Sequence, residues 1–277
     1  MAQEWNPERY ARNAAFVPEL GRALVDLLAP QNGERILDLG CGRGELSREI
    51  ARRGARVVGV DSSAAMVEAA RREGIDARQV DGYDLPFHGE FEAVFSNAAL
   101  HWMKRDPDAV IRGVHRALVP KGRFVGELGG AGNVAEIRAA LRAEVAARGL
   151  DPERVDPWFF PTAEEYRARL EFGGFVVDEL DLFPRVTPLP TGIDGWLETF
   201  AAPYFLALPA EERPTARARV IERLLPTRCD ARGNWTADYV RLRFRAHRGS
   251  RSASPRPPPA RQQGLIRRGT HRPAEPR

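Results

Sequence analysis

A short apolar run, Arg35-Ile36-Leu37-Asp38-Leu39, ends on Gly40-Cys41-Gly42-Arg43-Gly44, and no other stretch constrains the fold as much. Glycines at alternate positions let the chain turn tightly and bring its backbone close to a ligand. Helical sequence follows through about Arg53, so the unit reads strand, glycine turn, helix. The alternation then repeats. Residues 56–60 read as a second strand, followed by a helix with Met66, Ala69 and Ala70 inward. Residues 75–80 and 91–96 read as the third and fourth strands. Asp106-Pro107 caps a helix with Val110, Val114 and Leu118 inward, and the turn Pro120-Lys121-Gly122 leads to a strand over 123–128.

The flanks are also legible. Pro18 opens a helix with Leu20, Leu24, Leu27 and Leu28 on one face. Val134, Ile137, Leu141 and Val145 mark another. Thr162-Ala163-Glu164-Glu165 is a capping box before a helix ending at Gly173-Gly174. Residues 175–182 and 239–244 read as the last strands. The stretch 184–236 between them is too long for a hairpin and reads as inserted helices. Such alternation predicts a doubly wound, Rossmann-like parallel sheet with helices on both faces. Ligands then bind at the carboxyl ends of the strands, near the point where strand order reverses.

The residues just past each strand carry the chemistry. The turn is G-x-G-x-G, not the dinucleotide G-x-G-x-x-G, and Asp38 stands two residues before its first glycine. A carboxylate there repels a pyrophosphate and favours an ammonium or sulfonium, which argues for S-adenosyl-L-methionine over a nicotinamide cofactor. Asp61-Ser62 lies after the second strand, 21 residues beyond Gly40, where an acid can accept both hydroxyls of a ribose. Taken alone, Asp61 reads equally well as a helix cap. Asp81-Gly82 follows the third strand, where the carboxylate can accept from an adenine amino group and the Gly82 amide can donate to a ring nitrogen. Met66 is a candidate to pack on the adenine, although a methionine on a helix face is more often core.

In this order the motifs resemble the class I S-adenosylmethionine-dependent methyltransferases. Residues 36–42 are similar to the family's first motif, Val58-Gly59-Val60-Asp61-Ser62 with Met66 to the second, and Asp81 with Leu85-Pro86-Phe87 to the third. Ser96-Asn97-Ala98-Ala99-Leu100-His101-Trp102 resembles the trans-aconitate methyltransferase-like group and, less closely, malonyl-carrier-protein O-methyltransferases, and the N-terminal Trp5-Asn6-Pro7-Glu8-Arg9-Tyr10 also resembles the trans-aconitate group. The resemblance spans residues 4–246. It implies seven strands, mostly parallel with an antiparallel last strand. It implies that the cofactor's methionyl part lies over Asp38, Gly40, Cys41 and Gly42. Asp61 and Ser62 then take the ribose, Asp81 and Gly82 take the adenine, and the Asn97 backbone sits beside the sulfonium. The family carries a small or acidic residue where this chain has Arg43, which is expected to point to solvent.

The expected reaction is methylation of a small molecule, foremost a carboxylate such as trans-aconitate. A malonyl thioester, a phenol and a quinone are the alternative acceptors, and a non-catalytic cofactor-binding subunit is the alternative role. An ionised carboxylate needs alignment rather than a base, whereas a neutral hydroxyl or amine needs one. His101 is the candidate base or acceptor-orienting donor; His88 and His115 read as structural. Tyr10, Trp102 and the Trp158-Phe159-Phe160 cluster are candidates to roof the acceptor. Arginines must clamp any spare carboxylates. With only Lys104 and Lys121 among 42 basic residues, the sequence does not say which arginines do so.

Composition excludes other classes. Two cysteines, Cys41 and Cys229, give neither a disulfide scaffold nor a cysteine-rich zinc site. No run approaches the roughly 18 apolar residues of a membrane span, and the start carries no signal peptide, so a cytoplasmic location is expected. The net charge of +4 is misleading, because residues 248–277 hold eight arginines and one acid and the preceding 247 residues are net −3. With an acidic body and no Pro-Pro pair after the fourth strand, a nucleic-acid substrate is not expected. Residues 1–247 are expected to form the catalytic domain, with 184–236 covering the acceptor. Residues 248–277 are expected to be a disordered basic tail, either inert, an interaction arm or a read-through product.

Overall fold

The structure, a computed structural model, describes residues 3–249. Seven strands form one sheet: β1 (Arg35–Leu39), β2 (Arg56–Asp61), β3 (Asp76–Gln79), β4 (Phe91–Asn97), β5 (Leu118–Gly129), β6 (Phe175–Pro188) and β7 (Thr236–Arg248). Their order is β3-β2-β1-β4-β5-β7-β6. The first five run parallel, and β7 runs antiparallel between β5 and β6. Strand order reverses between β1 and β4, so a cleft opens at their carboxyl ends.

The helices are α1 (Pro7–Asn13), α2 (Phe16–Leu28), α3 (Glu45–Arg52), α4 (Ala64–Arg72), α5 (Pro107–Ala117), α6 (Ala135–Ala146), α7 (Pro152–Val155), α8 (Ala163–Phe172), α9 (Gly192–Phe200), α10 (Ala202–Leu206) and α11 (Arg213–Arg228). Both sheet faces are buried. Leu37, Val58, Val94 and Phe124 pack against Val110 and Val114 of α5 and Leu170 of α8. Ile36, Phe95 and Val125, on the other face, pack against Leu24, Val25 and Leu28 of α2 and Ile50 of α3. Burial on both faces explains why these strands read as near-continuous apolar runs. A separate cluster joins α6, α9, α10 and α11 around Trp158 and Trp196, above the cleft.

Several boundaries differ from expectation. Helix α1 was not anticipated; Asn6 caps it, accepting from the Arg9 N–H at 2.8 Å, and Pro7 starts it. Helix α2 opens at Phe16, so Pro18 sits within the first turn, where its missing N–H costs nothing, and Leu20 stays at the surface. The Pro120-Lys121-Gly122 turn lies within β5 as a bulge: pairing jumps from Phe91 opposite Leu118 to Ala93 opposite Arg123. Strand β6 continues past Leu182 to Pro188, paired with β7 throughout. Pro184 and Pro188 are tolerated because β6 is an edge strand whose outer side needs no donor. The inserted segment therefore spans 189–235 rather than 184–236. Strand β7 reaches Arg248, opposite Phe175, so the first residue assigned to the tail belongs to the sheet. The rest of the tail expected from 250 onward lies outside the described residues. Among the described residues no helix is long and apolar enough to cross a membrane, and no cluster of ligating side chains forms a metal site.

Candidate active site

Two cavities meet at the carboxyl ends of β1, β2, β3 and β4. The first is a groove of about 800 Å³ that brings together Gly40, Gly42, Asp61, Ser62, Met66, Asp81, Gly82 and Asn97. Gly40 has φ +76°, and a Cβ on it would lie 2.2 Å from the Cβ of Ala99, so the turn and the segment after β4 touch backbone to side chain. Asp61 ties the turn to α4: its Oδ2 accepts from the Gly42 N–H at 3.0 Å and its Oδ1 from the Ser63 N–H at 2.9 Å. Burial raises its carboxyl and these backbone donors oppose the rise. Ser63 caps α4 and thereby sets buried Met66 in the groove wall. Ser62 is exposed at the rim.

Asp81 is exposed at the far end, accepting from the Tyr83 N–H at 3.0 Å, with an Arg105 guanidinium 3.5 Å away. A Cβ on buried Gly82 would meet the Met103 methyl at 2.9 Å, so the Met103 side chain packs directly over this glycine in the groove wall.

Asp38 and Cys41 stand apart from this groove. Asp38 is buried beside a smaller recess that also reaches Gly40, Tyr10 and Asn97, and the Ser47 hydroxyl donates to it at 2.5 Å. Burial lifts its carboxyl to about 7, against the Ser47 bond, with Asp61 and Glu45 adding to the rise. The Cys41 thiol packs over Gly59 in an apolar cluster with Val67, Ala70 and Ile75. Both the Cys41 and Gly40 N–H groups donate to the Val60 carbonyl, at 3.0 and 2.8 Å. Cys41 thus brings neither thiol nor amide to the groove. Arg43, expected in solvent, lies half-buried along the recess, 3.5 Å from Glu45.

The second cavity, of about 630 Å³, lies beyond Asn97 and Ala98; Tyr10, Trp102 and Trp5 wall both. Ala98 is left-handed at φ +56°, held by its N–H donating to the Glu127 carbonyl at 2.8 Å. Trp158 is buried and stacks on Phe160 with centroids 5.7 Å apart. The segment is pinned by Asp156, which accepts from the Trp158 N–H at 3.1 Å and from Arg138 at 2.5 Å. Phe159 turns away and joins the core under the sheet. Helix α9 of the insert adds Trp196 and Phe200.

His101 sits on the 3-10 turn Leu100–Trp102 and lines this cavity. Its Nδ1 accepts from the Gly129 N–H at 3.3 Å, which leaves the proton on Nε2. Burial, and then the Arg241 charge, hold the imidazolium form far below its ordinary range. In this neutral form its remaining ring proton, on Nε2, is a hydrogen-bond donor. His88 is exposed, and His115 packs against Phe175.

Sequence reasoning missed the charged part of the cavity. Glu127, 1% exposed, accepts Arg185 through both oxygens at 2.7 and 2.9 Å, Arg241 at 3.1 Å, and Arg243 at 2.8 and 2.9 Å. Burial alone would raise its carboxyl, but the Arg241 charge and then Arg185 and Arg243 outweigh it and hold it below the usual range. A signal was present: one acid in the apolar strand before Leu128, and Arg241 and Arg243 on the same face of β7.

A glycine turn followed by acids at consecutive strand ends is the arrangement of a nucleotide-type cofactor groove, and a second cavity adjoins it. A methyltransferase-domain family profile matches residues 37–126. An uncharacterized methyltransferase of Schizosaccharomyces pombe is 40% identical over 255 residues, covering 88% of this chain and 98% of its own length. Trans-aconitate 2-methyltransferase of Mycolicibacterium gilvum is 42% identical over 113 residues, covering 39% of this chain but only 43% of that enzyme. In fold, the chain is similar to Haemonchus contortus phosphoethanolamine N-methyltransferase 2, solved with S-adenosylhomocysteine, at TM-score 0.53 and 18% identity over 84% of this chain and 53% of that one. The chain belongs to the class I S-adenosylmethionine-dependent methyltransferases.

Proposed function

We propose that the chain methylates a carboxylate oxygen of a small polycarboxylate, with trans-aconitate the foremost candidate. The observation that carries this reading is the charge of the second cavity: Arg185 and Arg241 stand in its wall, and one buried acid, Glu127, is shared among three arginines. At an effective dielectric of about 20, a unit charge about 4 Å from another contributes about 4 kcal/mol, enough to select an anion over a neutral isostere. The partial similarity to trans-aconitate 2-methyltransferases points the same way.

The protonation states agree. Among the described residues of this wall, His101 is neutral with Nδ1 occupied, burial keeps Tyr10 and Tyr239 protonated, and Glu127 is held anionic by its arginines. Such a wall suits an acceptor that arrives already ionised, and its contribution is alignment and exclusion of water. S-adenosylmethionine supplies an electrophilic methyl group on a sulfonium. Asp61 is assigned to the ribose and Asp81 with Gly82 to the adenine, with Met66 alongside. Asp38, Gly40 and Gly42 are assigned to the methionyl part. The Asn97–Ala98 backbone divides cofactor from acceptor, and the His101 Nε2–H orients the acceptor carboxylate. Tyr10, Trp102 and Trp158 close the site over it, and the 189–235 insert sets its size.

The test is a turnover panel. Full-length protein with S-adenosylmethionine is offered trans-aconitate, other carboxylates, malonyl thioesters and phenols, and S-adenosylhomocysteine release is read. Turnover confined to phenols, or to the single carboxylate of a malonyl thioester, refutes the polycarboxylate reading.

A further inference from the structure

Arg241 is 6% exposed, yet only its Nε is partnered among the described residues, on Glu127 at 3.1 Å. Its two terminal amino groups make no hydrogen bond to the described residues, and Arg241 lines the acceptor cavity. These amino groups are not among the fully buried unpartnered atoms, so they are open to the cavity, where an acceptor can reach them. Arg185, beside it, spends two of its five donors on Glu127. No acid other than Glu127 lies within ion-pair distance of Arg185, Arg241 or Arg243 among the described residues. The cluster therefore carries a net charge of about +2. Arg185, Arg241 and Glu127 line the cavity and Arg243 does not, so the cavity wall itself carries one net positive charge.

We infer that Arg241 and Arg185 form a seat for a carboxylate of the acceptor that is not methylated, and that Glu127 is a positioning residue that aims both guanidinium groups into the cavity. The inference rests on the polycarboxylate reading above and deepens it: one acceptor carboxylate lies at the Asn97–Ala98 divide, where it is methylated, and another is held in this seat. A planar fork matches a carboxylate through two parallel bonds, which a lysine in the same place cannot reproduce.

The experiment uses the full-length protein with trans-aconitate and with crotonate, a monocarboxylate. Binding is read by calorimetry in the presence of S-adenosylhomocysteine, and turnover is read separately with S-adenosylmethionine. The wild type is expected to bind trans-aconitate about 100-fold more tightly than crotonate, and Arg241→Met to lose about that factor for trans-aconitate while crotonate changes less than about 3-fold. Arg241→Lys keeps a charge next to Glu127 and is expected to fall between. Glu127→Gln is expected to raise KM for trans-aconitate with little change in kcat. Unchanged trans-aconitate affinity in Arg241→Met overturns the seat, as does an equal loss for both acids in a variant that retains wild-type melting temperature and cofactor affinity. Arg241-dependent binding without methyl transfer upholds the seat and refutes carboxylate methylation. Undiminished turnover of trans-aconitate by Arg241→Met does the reverse.

Discussion

Replacing Gly40 by alanine puts a methyl carbon 2.2 Å from the Cβ of Ala99. Non-bonded carbons settle at about 3.5–4.0 Å, so the glycine turn and the segment after β4 must separate by more than about 1 Å. The residue also sits at φ +76°, which costs an L-residue about 1–2 kcal/mol. Moving the turn breaks the Gly42 N–H bond to Asp61, a charge-assisted bond of about 1.5–3 kcal/mol. The total is about 2.5–5 kcal/mol, which in a chain of this size lowers Tm by roughly 5–10 °C. The same shift displaces the groove wall, so affinity for S-adenosylhomocysteine falls about 100-fold or more. Gly33 provides the control: it too is left-handed, at φ +82°, but nothing lies within 4 Å of its Cβ position. Gly33→Ala should lose only about 1–2 kcal/mol and leave cofactor affinity intact. Thermal melts with and without S-adenosylhomocysteine, together with calorimetry, read both. A Gly40→Ala protein that melts and binds like the wild type, or like Gly33→Ala, refutes the reasoning.

Further outcomes follow from the same geometry. In the unliganded protein Asp38 is lifted to about 7, so its contribution to stability is full below the ordinary carboxylate range and lost as pH rises towards 7. On the proposed assignment of Asp38 to the methionyl part, the cofactor's ammonium needs the anion, so binding at pH 6 should release about one proton, and affinity should weaken about tenfold per pH unit below 7. Calorimetry in buffers of different ionisation enthalpy measures this, and Asp38→Asn should abolish it. At saturating cofactor, kcat/KM should have no limb near the ordinary histidine pKa, because His101 stays neutral; His101→Ala should lower it about 10–100-fold, and a limb that disappears in that variant contradicts the donor role. Trp158→Ala should cost about 3–5 kcal/mol of stability, read by denaturant titration, and raise the acceptor KM more than the cofactor KM.

Local pattern made much of the sheet legible. Each of the seven strands stood in the sequence as an apolar or alternating run, and the capping signals at Asp106 and Thr162 act as read, their side chains accepting from Ala109 and Glu165. Legibility failed where partners decide. Pro184 reads as a breaker, and only the pairing of β6 with β7 at the sheet edge shows why the strand runs on. Cys41 sits in a ligand-binding turn by sequence, yet neighbouring helix and strand residues draw its thiol into the core. Which arginines serve the acceptor was hidden among forty, because Arg185 and Arg241 meet at Glu127 from three different strands. The acids at the ends of β1, β2 and β3 were legible because a parallel sheet places consecutive strand ends along one edge.

The most direct test of the central claim is product analysis. Full-length protein is incubated with methyl-deuterated S-adenosylmethionine and trans-aconitate, and the small-molecule fraction is examined by mass spectrometry. The account predicts a mono-ester carrying one labelled methyl group, formed in step with S-adenosylhomocysteine. Cofactor bound by calorimetry but no labelled ester formed from trans-aconitate contradicts it.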